Sequence, residues 1–176
     1  MGFDLVAKKP SSEQYSDYRF NVWGWRLPWN YICHFAHDEL LKNKKPVIID
    51  ESICKGGGYN DGTTVSSEQA KKIAEIIFKH DKDGTLDELE DSNRNDRLEA
   101  NKINKELEKK MDKLKQEVEK ETGKSGLAPI NYPKKFRVKY DELSNQRDWR
   151  SYYGFNKESM LSFAEFMKQS GGFEIW

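Results

Sequence analysis

"RFNVWGWRLPWNYICHFAHDEL", residues 19–40, carries three of the chain's five tryptophans and two arginines directly ahead of a run with helical spacing. Arg19, Phe20, Val22, Trp23 and Trp25 favour extended backbone, and Gly24 marks a bend. Pro28 suits the first turn of a helix. Beyond it Tyr31, Ile32, Phe35, Ala36 and Leu40 recur at three- and four-residue intervals, which predicts an amphipathic helix ending near Asn43. A strand running into a helix is the expected unit. In the strand, period-two alternation puts Trp23 and Trp25 on one face together with Asn21.

Outward from this block the pattern stays mixed. "GFDLVA", residues 2–7, alternates and predicts a first short strand, followed by a polar loop around Pro10. Val47, Ile48 and Ile49 predict a brief strand. "KGGGYNDGTT", residues 55–64, predicts a loop with unusual dihedrals. Ser66 with Gln69 forms a capping box that opens a helix, with Ala70, Ile73, Ala74 and Ile77 turned inward. From Leu86 to Glu121 helix formers and charges take over. Ile103, Leu107, Met111, Leu114 and Val118 form a seam narrow enough for coiled-coil packing, in a long helix or one arm of a hairpin. Gly123 and Gly126 end it. A strand is expected at Phe136–Tyr140. Asn156 caps a last helix whose apolar face is Met160, Leu161, Phe163, Ala164 and Met167. Gly171 and Gly172 stop that helix before a terminal strand in "FEIW". The expected fold is α+β: a compact single domain of three core helices and a small, short-stranded sheet, with a long charged helical arm. The compact part is assigned to residues 1–85 and 127–176, and the inserted arm to 86–126.

The bulk numbers narrow the function. At 176 residues a single domain hides roughly 70% of its unfolded surface, so no disulfide staple is required. Thirty basic and thirty acidic side chains cancel, which argues against general nucleic-acid or anionic-membrane binding. No apolar run approaches a membrane span. "MGFDLVAKKP" does not read as a signal peptide, and Val6 stands where myristoylation needs Ser or Thr. The expected location is the cytoplasm. Cys33 and Cys54 are far apart in sequence without a CxxC partner, and read as small buried hydrophobes.

Catalytic and metal motifs fail on inspection. Lys79–Glu90 matches an EF-hand loop at Asp81, Asp83, Gly84, Asp87 and Glu90, but Lys79 occupies the first ligand place, where an ammonium repels calcium. "TGKSG", residues 122–126, lacks the leading glycine of a phosphate loop, Val118 standing in its place. His34 and His37 are three apart on one helix with no third ligand evident. Cys33 and His34 are neighbours along a helix and do not face each other. No catalytic residue, metal ligand or cofactor is assigned. The glycine-rich loop, feeding a capped helix, offers backbone N–H groups as an anion cradle.

The rings carry the functional expectation. Trp23, Trp25 and Trp29 with Arg19 and Arg26 have an echo in Trp149, Arg150, Tyr152 and Tyr153. Aromatic faces beside guanidinium groups suit planar anions such as nucleotides, and suit a protein interface equally well. The candidate ligand site comprises Arg19, Asn21, Trp23, Trp25, Arg26, Trp29, Tyr59, Asn60 and Asp61, with the tryptophan block folded over the glycine loop.

These segments resemble a family of small phage and prophage proteins. "MGFDLVAKKPSSEQYSDYRFNVWGWRLPWNYI" is similar to its Met-Gly strand and Val-Trp-x-Trp-Arg-x-Pro block. "YNDGTTVSSEQAKKIAEII" resembles its Asn-Asp-Gly loop entering a helix, and "FNKESMLSFAEFMKQSGGFEIW" its last helix with Ser-Gly-Gly-Phe. Gly24 replaces a middle tryptophan of that block, and Leu27 precedes Pro28. The resemblance covers residues 1–77 and 155–176, leaves the arm outside, and implies a phage accessory protein. Three functions follow as expectations. The first is a binder that sequesters a small anionic or nucleotide-like ligand, antagonising host defence. The second is an inhibitor that binds a host protein. The third is an enzyme on nucleotides or small molecules with Asp61 or His34 as base. A homodimer through the arm is the expected self-association.

Overall fold

The computed structural model describes residues 2–176. Its sheet has four antiparallel strands in the order β2-β1-β4-β3: β1 (Gly2–Ala7), β2 (Asp17–Asn21), β3 (Thr63–Ser66) and β4 (Gly172–Ile175). Alternation decides its faces. Phe3, Leu5, Phe20, Val65, Phe173 and Ile175 point inward and are buried, while Asp4, Val6, Arg19 and Thr64 face solvent. Three helices cover the inner face: α1 (Val22–Cys33), α4 (Ser67–Lys82) and α7 (Lys157–Gln169). The fold is the expected α+β arrangement.

The opening block differs from the expected strand. The strand stops at Asn21, whose side chain accepts the Gly24 N–H at 2.6 Å and starts a helix at Val22. Pro28 therefore sits inside α1 rather than at its start. It withholds one N–H, and the carbonyl left without that donor belongs to Gly24. Packing decides the outcome. A helix stacks Trp25, Trp29 and Ile32 at i, i+4 and i+7 into the core and leaves Trp23 outside, whereas a strand would put Trp23 on the face of Trp25 and Trp29 and turn Ile32 to the opposite one. The helical run continues through a π-helical turn, His34–Asp38, into α2 (Glu39–Lys42).

Two more expected strands are absent. Val47–Ile49 is irregular, because Ile48 N–H and Ile49 N–H both donate to the Ala36 carbonyl instead of to a neighbouring strand. A short helix, α3 (Glu51–Gly56), follows, capped by Asp50, and β3 then forms where only loop was expected. The capping box at Ser66 and Gln69 and the cap at Asn156 are present as expected. Gly171 (φ +65°) and Gly172 (φ +93°) turn α7 back into β4, and a Cβ on Gly171 would stand 2.4 Å from the Lys9 carbonyl oxygen.

The chain divides into two compact units, Met1–Arg94 with Tyr153–Trp176, and Asn95–Tyr152. Residues 127–152 thus group with the outer part of the long helix, α5 (Thr85–Thr122), rather than with the sheet. In this second unit Leu114 and Val118 of the arm's seam are covered by Tyr132 and Phe136. Phe136–Tyr140 lies within a helix, α6 (Lys134–Ser144), not in a strand. Phe136, Tyr140 and Leu143 repeat at i, i+4 and i+7 and meet the α5 seam, while Val138, which a strand would put on the face of Phe136 and Tyr140, is exposed. Asn104 closes the unit by donating to the Asp148 carbonyl at 2.9 Å and accepting the Asp148 N–H at 2.9 Å. The arm's seam is therefore occupied within the chain at its outer end.

Inside the first unit Tyr31 meets His80, with Oη 2.5 Å from Nδ1. Burial, aided by Asp83, pushes the phenol up to about 12, so the hydroxyl keeps its proton beside the imidazole. Burial likewise holds His80 below its ordinary range, against the opposing influence of Asp83. An unfolded chain binds that proton more readily. The contribution of His80 to stability is therefore present above the ordinary imidazole range, about 6.5, and is lost as pH falls through it. Urea unfolding at pH 7.5 and 5.5 tests this: the parent should lose more stability between the two than His80→Gln, and identical losses would contradict it.

Candidate functional site

The tryptophan block and the glycine-rich segment do meet, as sequence reading expected, but they interlock. Trp25 and Trp29 stack at 5.2 Å with an interplanar angle of 15°, and both are almost wholly buried. The Trp25 Nε1–H donates to the Gly57 carbonyl at 2.7 Å, and the Trp29 Nε1–H to the Cys54 carbonyl at 2.9 Å. Gly57 lies so close that an added Cβ would stand 2.2 Å from the Trp29 ring. Phe3 also stacks on Trp25 at 5.3 Å, and Phe163 meets the same indole edge-on. These two rings are core.

The expected anion cradle is also spent. Gly57 N–H bonds the Ile53 carbonyl, Gly58 N–H that of Lys55, Tyr59 N–H that of Gly56 and Gly62 N–H that of Ile175. These donors close the end of α3 and align β3 with β4. None is left aimed at a ligand.

The other expected site residues fall in two places. At one end of the sheet Arg19 pairs with Asp4 at 3.2 Å, and Asn60 donates to the Gly2 carbonyl at 2.9 Å. There Asp61 accepts both the backbone N–H and the hydroxyl of Thr63, and Tyr59 is exposed. Asn21 is consumed as the α1 cap. On the outer side of α1 Trp23 is exposed and meets Tyr153 edge-to-face at 5.4 Å, and the Arg26 guanidinium lies 5.8 Å from the same Tyr153 ring. The nine residues form core, sheet end and helix surface, not one hollow.

The remaining chemical candidates are engaged as well. His34 Nε2 stands 3.2 Å from Glu39, and His37 Nδ1 3.2 Å from the Ile49 carbonyl. Among the described residues no three histidine, cysteine or carboxylate side chains converge on a metal position. Cys33 and Cys54, distant in sequence, share a thiol–thiol hydrogen bond, which together with burial raises the Cys33 thiol and which, against burial, lowers that of Cys54. The carboxylates of the EF-hand-like stretch hold a cation of the chain itself. Lys157 Nζ sits 2.9 Å from Asp81 and 2.8 Å from Asp87, and the Lys157 N–H donates to Glu90 at 2.9 Å. Asp87 and then Asp81 hold this ammonium well above its usual range. Among the described residues no helix is long and apolar enough to cross a membrane.

A concavity exists elsewhere, and sequence reading missed it. Between α4 and α7 a groove of about 600 Å³ is lined by Lys71, Glu75, Phe78, Lys79 and Lys82 on one side and Lys168 on the other, with Ala74 in its floor. Residues 71, 74, 75, 78, 79 and 82 follow the i, i+3, i+4 rhythm, so they form one stripe of α4. Lys168 Nζ lies 5.9 Å from the centre of the Phe78 ring. Lys71, Lys79, Lys82 and Lys168 have no carboxylate oxygen within 4.0 Å among the described residues, whereas Lys8, Lys42, Lys55, Lys72, Lys135 and Lys157 each do. The signal lay in α4 itself: an aromatic on the outer side of an amphipathic helix, bracketed by lysines.

The chain matches no protein-family model, no curated protein and no solved structure. Fold and site therefore rest on this molecule alone.

The interlocked indoles make a direct test. Trp25→Phe leaves the buried Gly57 carbonyl without its donor, and should cost about 2–3 kcal/mol in chemical denaturation. Gly57→Ala forces a methyl into the Trp29 ring and should cost about 3 kcal/mol. Changes of a few tenths in both would show that the loop does not depend on the rings.

Proposed function

We propose that the protein works by binding, capturing a small anionic, nucleotide-like ligand in the groove between α4 and α7. The observation that carries this reading is the groove's four lysines, Lys71, Lys79, Lys82 and Lys168, none with a carboxylate oxygen within 4.0 Å among the described residues, with the Lys168 ammonium over the Phe78 ring. An aromatic ring accepts a base by stacking, and lysines supply the charge that phosphate requires. The groove's volume lies within the range of small-molecule sites. Among the described residues Glu75 is the one carboxylate lining it, and Asp61 and His34, the bases expected for turnover, are not among its lining residues. The resemblance to phage proteins supplies a setting. Sequestration of a nucleotide signal would blunt a host defence that depends on it.

A second reading, inhibition of a host protein, is favoured by the outer face of α1. There Trp23, Arg26 and Tyr153 present two rings and a guanidinium at the surface. Such groups dominate interface hot spots.

Calorimetric titration with ATP separates the two. Binding in the micromolar range at low salt, weakened about tenfold in Lys79→Ala/Lys82→Ala and unchanged in Trp23→Ala/Arg26→Ala, is the expected result. Binding lost in the α1 variant and kept in the α4 variant would move the site to the outer face of α1. No heat at millimolar ATP would overturn nucleotide capture.

A further inference from the structure

The groove's charges are not spread evenly. In an α-helix each residue rises 1.5 Å, so Lys71 lies about 12 Å along the axis from Lys79 and about 16 Å from Lys82. Between these ends stand Glu75, one turn from Lys71 and one turn from Lys79, and the Phe78 ring with Lys168 beside it. The order along the stripe is cation, carboxylate, ring, then two cations. A phosphate placed at the middle meets the Glu75 carboxylate. A phosphate at either end meets an ammonium.

Resting on the reading of this groove as a nucleotide site, we propose that its ligand carries phosphate at both ends of a central nucleoside, not a single run of phosphates at one end. The base lies on Phe78. One phosphate group reaches Lys71, the other reaches Lys79 and Lys82, and Lys168 closes over the centre. Glu75 accepts hydrogen bonds from a ribose hydroxyl or an exocyclic amino group, which gives the buried side of a nucleoside a polar partner that an all-lysine groove would lack. Lysine stems are long and flexible, so the ends draw together around a ligand shorter than the span of the helix positions. A nucleoside polyphosphate with all its charge at one end leaves the opposite cation unneutralised and gains nothing from it.

Adenosine 3′,5′-bisphosphate is compared with ADP, which shares its base, sugar and number of phosphates, and with ATP. The latter matches its charge of about −4 at neutral pH with every phosphate at one end. The bisphosphate should bind tighter than both. Titrations are made with the full chain at low salt. The bisphosphate should bind about tenfold tighter than ADP, a difference of about 1.4 kcal/mol. Lys71→Ala and Lys82→Ala should each remove most of that advantage, and Glu75→Gln should narrow it by tightening ADP. The lysines are exposed, so melting temperatures of the variants should equal the parent's and exclude unfolding as the cause. Equal affinity for the two isomers, tighter binding of ADP, or ATP binding as tightly as the bisphosphate would overturn the two-ended ligand while leaving the groove as a nucleotide site. Failure of all three to bind at millimolar concentration would overturn the groove reading and this one together.

Discussion

Two indole N–H groups hold the opening block to the segment that follows it. Trp25 donates to Gly57 and Trp29 to Cys54, so α1 is bonded through its side chains to the backbone at the end of α3. The consequence spreads in both directions. Backward, Trp25 stacks with Phe3 and meets Phe163 edge-on, which ties the first strand and the last helix to the same point. Forward, the α3 carbonyls are occupied from outside the helix, and the glycines that follow turn the chain into β3 against β4. A side chain at Gly57 has no room, which is the strictest local demand of this arrangement. A segment that reads on paper as a tryptophan-rich surface supplies, through Trp25 and Trp29, the core of the first unit.

That inversion explains the functional account. Aromatic and guanidinium groups are costly to leave idle, and a sequence crowded with them invites a binding reading. Here most are satisfied by the fold: Trp25 and Trp29 by carbonyls, Arg19 by Asp4, Asn21 by the helix it caps, Asn60 by the Gly2 carbonyl. The charges left uncompensated around a concavity are commonplace lysines on α4 and α7. Lys157 shows the opposite arrangement. It is drawn into Asp81 and Asp87 and serves the fold rather than a ligand. Whether a charge can work on a partner is decided by what already neutralises it, not by its residue type.

Local signals were legible where they close within a few residues. The capping box of Ser66 and Gln69, the Asn156 cap and the glycine pair after α7 each satisfy their own backbone, and each appears where the residues predict it. The apolar spacing of the long helix is equally local. Legibility failed where distant contacts outvoted propensity. Val22–Trp25 has strand-like composition, yet the Asn21 cap and the burial of Trp25, Trp29 and Ile32 on one helical stripe outweigh it. Phe136–Tyr140 also looks extended until the seam of α5 supplies a partner with helical spacing. The thiol contact of Cys33 with Cys54 and the groove itself have no local signature, since both arise from two elements brought together by the core.

Backbone and indole resonances read both halves of this account at once. In a two-dimensional amide NMR titration with ATP, shifts confined to residues 71–82 and 168–169, with the Trp25 and Trp29 indole signals unmoved, are the expected result. Displaced Trp25 and Trp29 indole signals over a silent α4 would contradict it, placing the ligand among rings that the fold requires to be sealed.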